Sequence, residues 1–136
     1  MTKPIRSDTE PIRVLVVEDE SLIGEWLAET LAEQGFSVRV VGNAVDALRH
    51  LAAAPVDVLF TDINLGGGMD GSALARRARE SWPDLPVVYA SARANAWDPQ
   101  AQVAGSMFVP KPYAPALVGR LLAHVVVKST ARRIPA

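Results

Sequence analysis

Five short apolar runs rich in β-branched residues, separated from one another along the sequence, constrain this chain more than any other feature. The first, Ile12 to Val17, lacks the period-two alternation of a half-exposed strand and reads as a strand buried on both faces of a parallel sheet. Glu18 and Asp19 end it. Ser21 then offers a helix cap, and Leu22, Ile23, Trp26, Leu27, Thr30 and Leu31 recur at helical spacing until Gly35 supplies a left-handed stop. Phe36 to Val41, with Arg39 inside it, reads as an edge strand, after which Asn43 caps a helix carrying Val45, Leu48, Leu51 and Ala52. Val56 to Thr61 ends in Asp62, and a glycine-rich loop, Gly66 to Gly71, leads to the helical pattern Leu74, Ala75, Ala78. Leu85 to Ala90 ends at Ser91. Ser106 to Val109 is followed by Lys111, and Pro115 opens a helix with Leu117, Val118, Leu121, Leu122 and Val125 on one stripe.

Strands separated by helices cannot form hairpins. The expected architecture is therefore a doubly wound α/β fold, a mostly parallel sheet with right-handed crossovers and helices on both faces. The weakest helical pattern lies between the fourth and fifth runs, where only Asp98-Pro99 offers a cap and first turn, so the fourth helix is expected to be short, Pro99 to Ala104, or irregular. A chain of 136 residues supports one core, here residues 12–127, flanked by a polar N-terminal tail (1–11), expected to be disordered, and a C-terminal tail (128–136) too short for an output domain. Cysteine is absent, which excludes disulfide, zinc-ribbon, iron–sulfur and thiol chemistry. Lys+Arg 14 against Asp+Glu 15 leaves a net charge of -1 and no basic field for nucleic acid or an anionic membrane. No stretch resembles a signal peptide or a membrane span, so a cytoplasmic protein is expected.

In open parallel sheets a ligand site forms at the carboxyl ends of the strands. Glu18 and Asp19 follow the first strand and Asp62 the third, so the three converge if those strands are neighbours. Close carboxylates repel one another unless a hard cation sits among them, which makes Mg²⁺, or Mn²⁺, the natural guest. Ser91 and Lys111 fall on the same rim. A hydroxyl and an ammonium there can bind the oxygens of a phosphoryl group, while Asp62 can attack phosphorus. Each residue taken singly has a plainer role: an acid at a helix start, a helix cap, a solvated charge. The set carries the information.

With those residues in view, the stretches VLVVEDE, LFTDINL, MDG, VVYASA and GSMFVPKP resemble the receiver domains of two-component response regulators, over about residues 12–127. The resemblance implies a flavodoxin-like (βα)5 sheet of order 2-1-3-4-5. It implies that Asp62 is the phosphoacceptor, served by a histidine on a sensor kinase or a histidine phosphotransfer protein. Asp19 and Asp62 would hold Mg²⁺ directly, Glu18 mainly through water, and the main-chain carbonyl of Asn64 would complete the protein ligands. Ser91 and Lys111 would bind the phosphoryl oxygens. Phe108 matches the family's aromatic switch, which moves inward as Ser91 shifts, although its spacing alone equally suits a core aromatic. The expected reporting face comprises the fourth helix, the fifth strand and the fifth helix, including Tyr113, and it faces an unknown protein target. A homodimer through that face is compatible with the same reading. The chain would be no enzyme beyond catalysing its own phosphorylation and dephosphorylation, and would not bind nucleic acid directly.

Departures from the family pattern lie around the site. The loop NLGGGMDG is longer than usual and lacks Met-Pro, and the Ser91 to Lys111 interval is shorter than in chemotaxis-type regulators. Asn64 and Arg93 occupy positions that tune dephosphorylation in the family, and Lys111-Pro112 is a candidate cis peptide. Trp26 is expected in the core and Trp82 at a helix end, with Trp97 either packing in its loop or anchoring a partner. The competing function is a non-phosphorylated interaction scaffold of the same fold. A haloacid-dehalogenase-like phosphatase would need an aspartate where Asn64 stands, and a flavodoxin a Ser/Thr-rich loop where VEDESL stands.

Overall fold

The structure, a computed structural model, describes residues 10–93 and 98–133. The expected disorder of the N-terminal tail and the packing of Trp97 fall on positions outside the described residues, except for Glu10 and Pro11. The elements follow in the order β1 (Arg13–Val17), α1 (Ser21–Glu33), β2 (Ser37–Val41), α2 (Ala44–Ala53), β3 (Val58–Asp62), α3 (Gly71–Ser81), β4 (Val87–Ser91), β5 (Met107–Pro110) and α4 (Pro115–Arg133). All strand pairs are parallel and the sheet order is β2-β1-β3-β4-β5.

The apolar runs explain this layering. β3 and β4 are buried at every position and β1 at all but its first, because both faces of the sheet are covered. Alternate residues go to opposite faces. Leu15, Val17, Leu59, Val87 and Tyr89 pack against Ala47 and Leu51 of α2 and Leu74, Ala75 and Ala78 of α3. Val14, Val16, Val58, Phe60 and Val88 pack against Leu27 and Leu31 of α1 and Val118, Leu122 and Val125 of α4. β2, at an edge, alternates between exposed and partly buried residues, as the interior Arg39 requires.

Helix starts follow side-chain chemistry where a short polar residue stands outside the first turn. Asn43 accepts the Asp46 N–H at 2.8 Å and Asp70 accepts the Ala73 N–H at 2.8 Å. Ser21, expected as a cap, is instead the first residue of α1. Glu20 holds the cap position without a side-chain bond, because the turn before it is shaped by Glu18, whose carboxylate accepts the Glu20 N–H at 3.4 Å. The last helix continues past Val127 to Arg133.

Two expectations are corrected. The described residues contain four helices, and 98–106 forms turns where a short helix over Pro99 to Ala104 is expected. Gly105 adopts φ +75° there, and the backbone groups of Ala101, Val103 and Ala104 bond to side chains of α3 and β4 in place of a helical ladder. Trp26 is not a core residue but is 44% exposed, stacked on Tyr113 with ring centroids 6.3 Å apart. The buried line of α1 is Gly24, Leu27 and Leu31, and Gly24 lies so close to the sheet that a Cβ would meet Val40 at 2.8 Å. Trp26 and Leu22 fall off that line, and Leu22 is exposed too. Trp82 does cap the end of α3, against the core.

Candidate functional site

The sheet order sets β1 between β2 and β3, so the residues that follow β1 and end β3 share one rim. Glu18, Asp19 and Asp62 each present a carboxylate oxygen there, all within 4.8 Å of one another. Glu18 and Asp62 are buried and Asp19 is exposed. An all-oxygen set in so small a volume suits Mg²⁺, a hard cation, and leaves room for water and a further oxygen ligand in its shell.

β5 places Lys111 over the same carboxylates. Its Nζ donates to Asp62 Oδ2 at 2.9 Å and to Glu18 Oε1 at 3.0 Å, while its backbone N–H donates to the Ser91 carbonyl at 2.9 Å. Burial alone would lower the lysine pKa, but the bonds to Asp62 and Glu18 outweigh it and hold the ammonium well above its ordinary range. Burial pushes the Glu18 carboxyl up, and the neighbouring Asp62 charge adds to this, while Lys111 opposes it. The lysine thus offsets part of the acidic charge and leaves the remainder to attract a cation. The Lys111-Pro112 peptide is cis.

Ser91 ends β4 with its hydroxyl on the rim, donating to Asn64 Oδ1 at 2.8 Å and accepting the Arg93 N–H at 3.1 Å. The Asn64 N–H donates to Asp62 Oδ1 at 3.1 Å, so Asn64 links the aspartate to the hydroxyl. Sequence reasoning missed this side-chain role, since an asparagine after a strand reads as a turn residue. It missed Gly71 as well. The Gly71 N–H donates to the Ile63 carbonyl at 2.8 Å, and a Cβ at Gly71 would collide with the Asp62 carbonyl oxygen, so only glycine seats α3 against the backbone of the aspartate. The MDG triplet carried that signal. In the lengthened loop, the Gly66 N–H donates to Asp19 Oδ2 at 3.3 Å, and Gly67 and Gly68 take positive φ.

Phe108 is partly buried, paired in register with Tyr89 and packed on the same cluster. Tyr113 lies between Trp26 and Phe60, edge-on to the latter at 5.8 Å. Every residue singled out at a strand end in the sequence, Glu18, Asp19, Asp62, Ser91 and Lys111, therefore meets at one edge.

Comparison with known proteins agrees with this geometry. Residues 14–123 match the family model of the response regulator receiver domain. The sensor histidine kinase RcsC of Escherichia coli is 33% identical over 94 residues, which cover 69% of this chain and 10% of that protein. The response regulator MprA of Mycobacterium bovis is 30% identical over 105 residues, covering 76% of this chain and 45% of MprA. The chain thus spans less than half of these longer relatives. A response regulator receiver protein of Sinorhizobium medicae superposes with TM-score 0.81 at 30% identity, covering 88% of this chain and 98% of that one. With the matched family model, the flavodoxin-like order of its strands and the acidic rim beneath Lys111, the chain belongs to the response regulator receiver domain family.

Proposed function

We propose that Asp62 accepts a phosphoryl group from a phosphohistidine on a sensor histidine kinase or a histidine phosphotransfer protein. A carboxylate oxygen of Asp62 forms the new P–O bond as the P–N bond of the donor breaks, and the departing imidazole takes up a proton. Asp19 and Asp62 would hold Mg²⁺, with Glu18 acting through water and the Asn64 carbonyl as a further ligand. The ion, when bound, offsets the negative charge of attacker and phosphoryl group. Lys111 neutralises one phosphoryl oxygen and Ser91 donates its hydroxyl to another.

The observation that carries this reading is the contact of Lys111 Nζ with Asp62 Oδ2 at 2.9 Å, on a rim shared with two more acids and a hydroxyl. A charge-neutral scaffold has no use for such a cluster. The added dianion then alters the surface formed by 98–106, β5 with Phe108, and α4, which binds a protein target or leads to onward relay of the phosphate. Such a switch works as a cytoplasmic signalling protein, catalysing only its own phosphorylation and dephosphorylation. Among the described residues no helix is long and apolar enough to cross a membrane, and the net charge of -1 favours a protein target over nucleic acid.

The test is intact mass after incubation with Mg²⁺ and a small acyl phosphate, read at mild pH. The expected result is a gain of one phosphoryl group that disappears in Asp62→Asn and with a chelator. No gain under conditions that label another receiver would favour the non-phosphorylated scaffold.

A further inference from the structure

The loop from β3 to α3 carries three consecutive glycines, Gly66 to Gly68, and is held at both feet. Leu65 before them and Met69 after them are partly buried and pack on the cluster that the sheet shares with α2 and α3. Asp70 then caps α3. Gly67 and Gly68 take φ +78° and +112°, yet a Cβ on either would meet nothing within 4 Å. Glycine is required there by the course of the backbone and not by want of room.

That course brings the Gly66 N–H to Asp19, with the nitrogen 3.3 Å from Oδ2. Of the three rim acids, Glu18 and Asp62 are buried and bonded to Lys111, whereas Asp19 is exposed. Among the described residues, the Gly66 N–H is the one hydrogen-bond donor that the Asp19 carboxylate meets. An exposed aspartate otherwise samples several rotamers, and holding it still before a ligand arrives removes that ordering cost from binding.

We infer that the Gly66–Gly68 loop is a brace that fixes Asp19 for a divalent cation and sets the preference of the rim for Mg²⁺ over Ca²⁺. The inference rests on the reading of the rim as a Mg²⁺ site given above and assigns this longer loop a part in it. Mg²⁺ is small and demands near-octahedral ligands close at hand, whereas Ca²⁺ tolerates a wider and less regular shell. A carboxylate tied from behind by a main-chain donor cannot drift outward to follow the larger ion, and an untied one can. Gly66 is thus a positioning residue that acts through Asp19, and groups of this kind behind a metal ligand change affinity by about tenfold or more.

Titration calorimetry of the full chain with Mg²⁺ and, separately, with Ca²⁺ tests this, beside intact mass after an acyl phosphate. Gly66→Pro removes the N–H, whereas Gly66→Ala keeps it, since a Cβ there lies 3.5 Å from Asp19 Oδ2, an ordinary contact. Mg²⁺ affinity should fall about tenfold in Gly66→Pro while Ca²⁺ affinity changes by less than about twofold, and Gly66→Ala should match the parent chain for both ions. Gly67→Asn and Gly67→Val form a second pair should Gly66→Pro not fold. Asparagine accepts the left-handed backbone and should keep the preference for Mg²⁺, and valine, which does not, should lose it. Unchanged Mg²⁺ affinity in folded Gly66→Pro, or an equal loss of both ions, overturns the brace alone. A parent chain that binds no Mg²⁺ overturns the metal site and the brace with it. A parent chain that binds Mg²⁺ with the expected preference yet gains no phosphoryl group overturns the phosphoacceptor reading and supports the brace.

Discussion

At the scale of single residues, the two tyrosines report how the sheet treats polar groups on either face. Burial pushes the Tyr113 phenol up to about 12, with the Glu18 and Asp62 charges adding to it and Lys111 opposing. Burial likewise raises Tyr89, against the bond from the Val103 N–H. The chain has no third tyrosine. Ultraviolet titration of the native protein should therefore show no half-ionised phenol at about pH 10, where the unfolded chain in urea shows it. Half-ionisation near that pH in the folded chain would contradict the burial argument. The sign for stability follows. Both folded values lie above the unfolded one, so the contribution is complete below about pH 10 and is lost as pH rises toward about 12, where the folded Tyr113 also ionises. Tyr113→Phe should flatten that alkaline decline. The acids and the lysine at the strand ends were legible in the sequence because a strand in a parallel sheet delivers its last residue to a known edge. The side-chain bonds of Asn64 and Tyr89 were not, since they reach residues far along the chain and no local spacing encodes them.

Among the elements, α3 is the one most tightly tied to the site. Gly71→Ala should destabilise the fold by about 2 kcal/mol, because the methyl group meets backbone, which cannot move aside like a side chain. Urea unfolding would show a lower midpoint with an unchanged slope, and an unaltered midpoint would mean that α3 can tilt away freely. The five strands and four of the helices were readable from runs and periodicity, with strand boundaries displaced by only a residue or two, while the last helix runs six residues beyond the expected end at Val127. β1, for instance, begins at Arg13 rather than Ile12. The missing helix between β4 and β5 was half-readable. Its weak pattern is visible in the sequence, but the turns that replace it depend on Arg76 and Arg79, which sit on another element. The exposed stack of Trp26 on Tyr113 has the same cause, since periodicity gives the angle of a residue on its helix and not the neighbour it finds.

For the molecule as a whole, three carboxylates balanced by one lysine make the rim a store of repulsion. A cation that binds the folded chain alone should stabilise it by about 2.7 kcal/mol when Mg²⁺ is about a hundredfold above its dissociation constant. Thermal unfolding should then show Tm rising with Mg²⁺, and the rise should be lost in Asp19→Asn. An equal rise in that variant would place the ion elsewhere. The rim also has a history in the making of the chain. Lys111 meets Glu18 across a separation of 93 residues and Asp62 across 49. Synthesis delivers the acids first and their counter-charge late, so the charge balance of the rim is complete only once the fifth strand has been added. Asp62 therefore gains its lysine partner only in the finished sheet, and a half-made polypeptide on the ribosome lacks the charge balance of the folded rim.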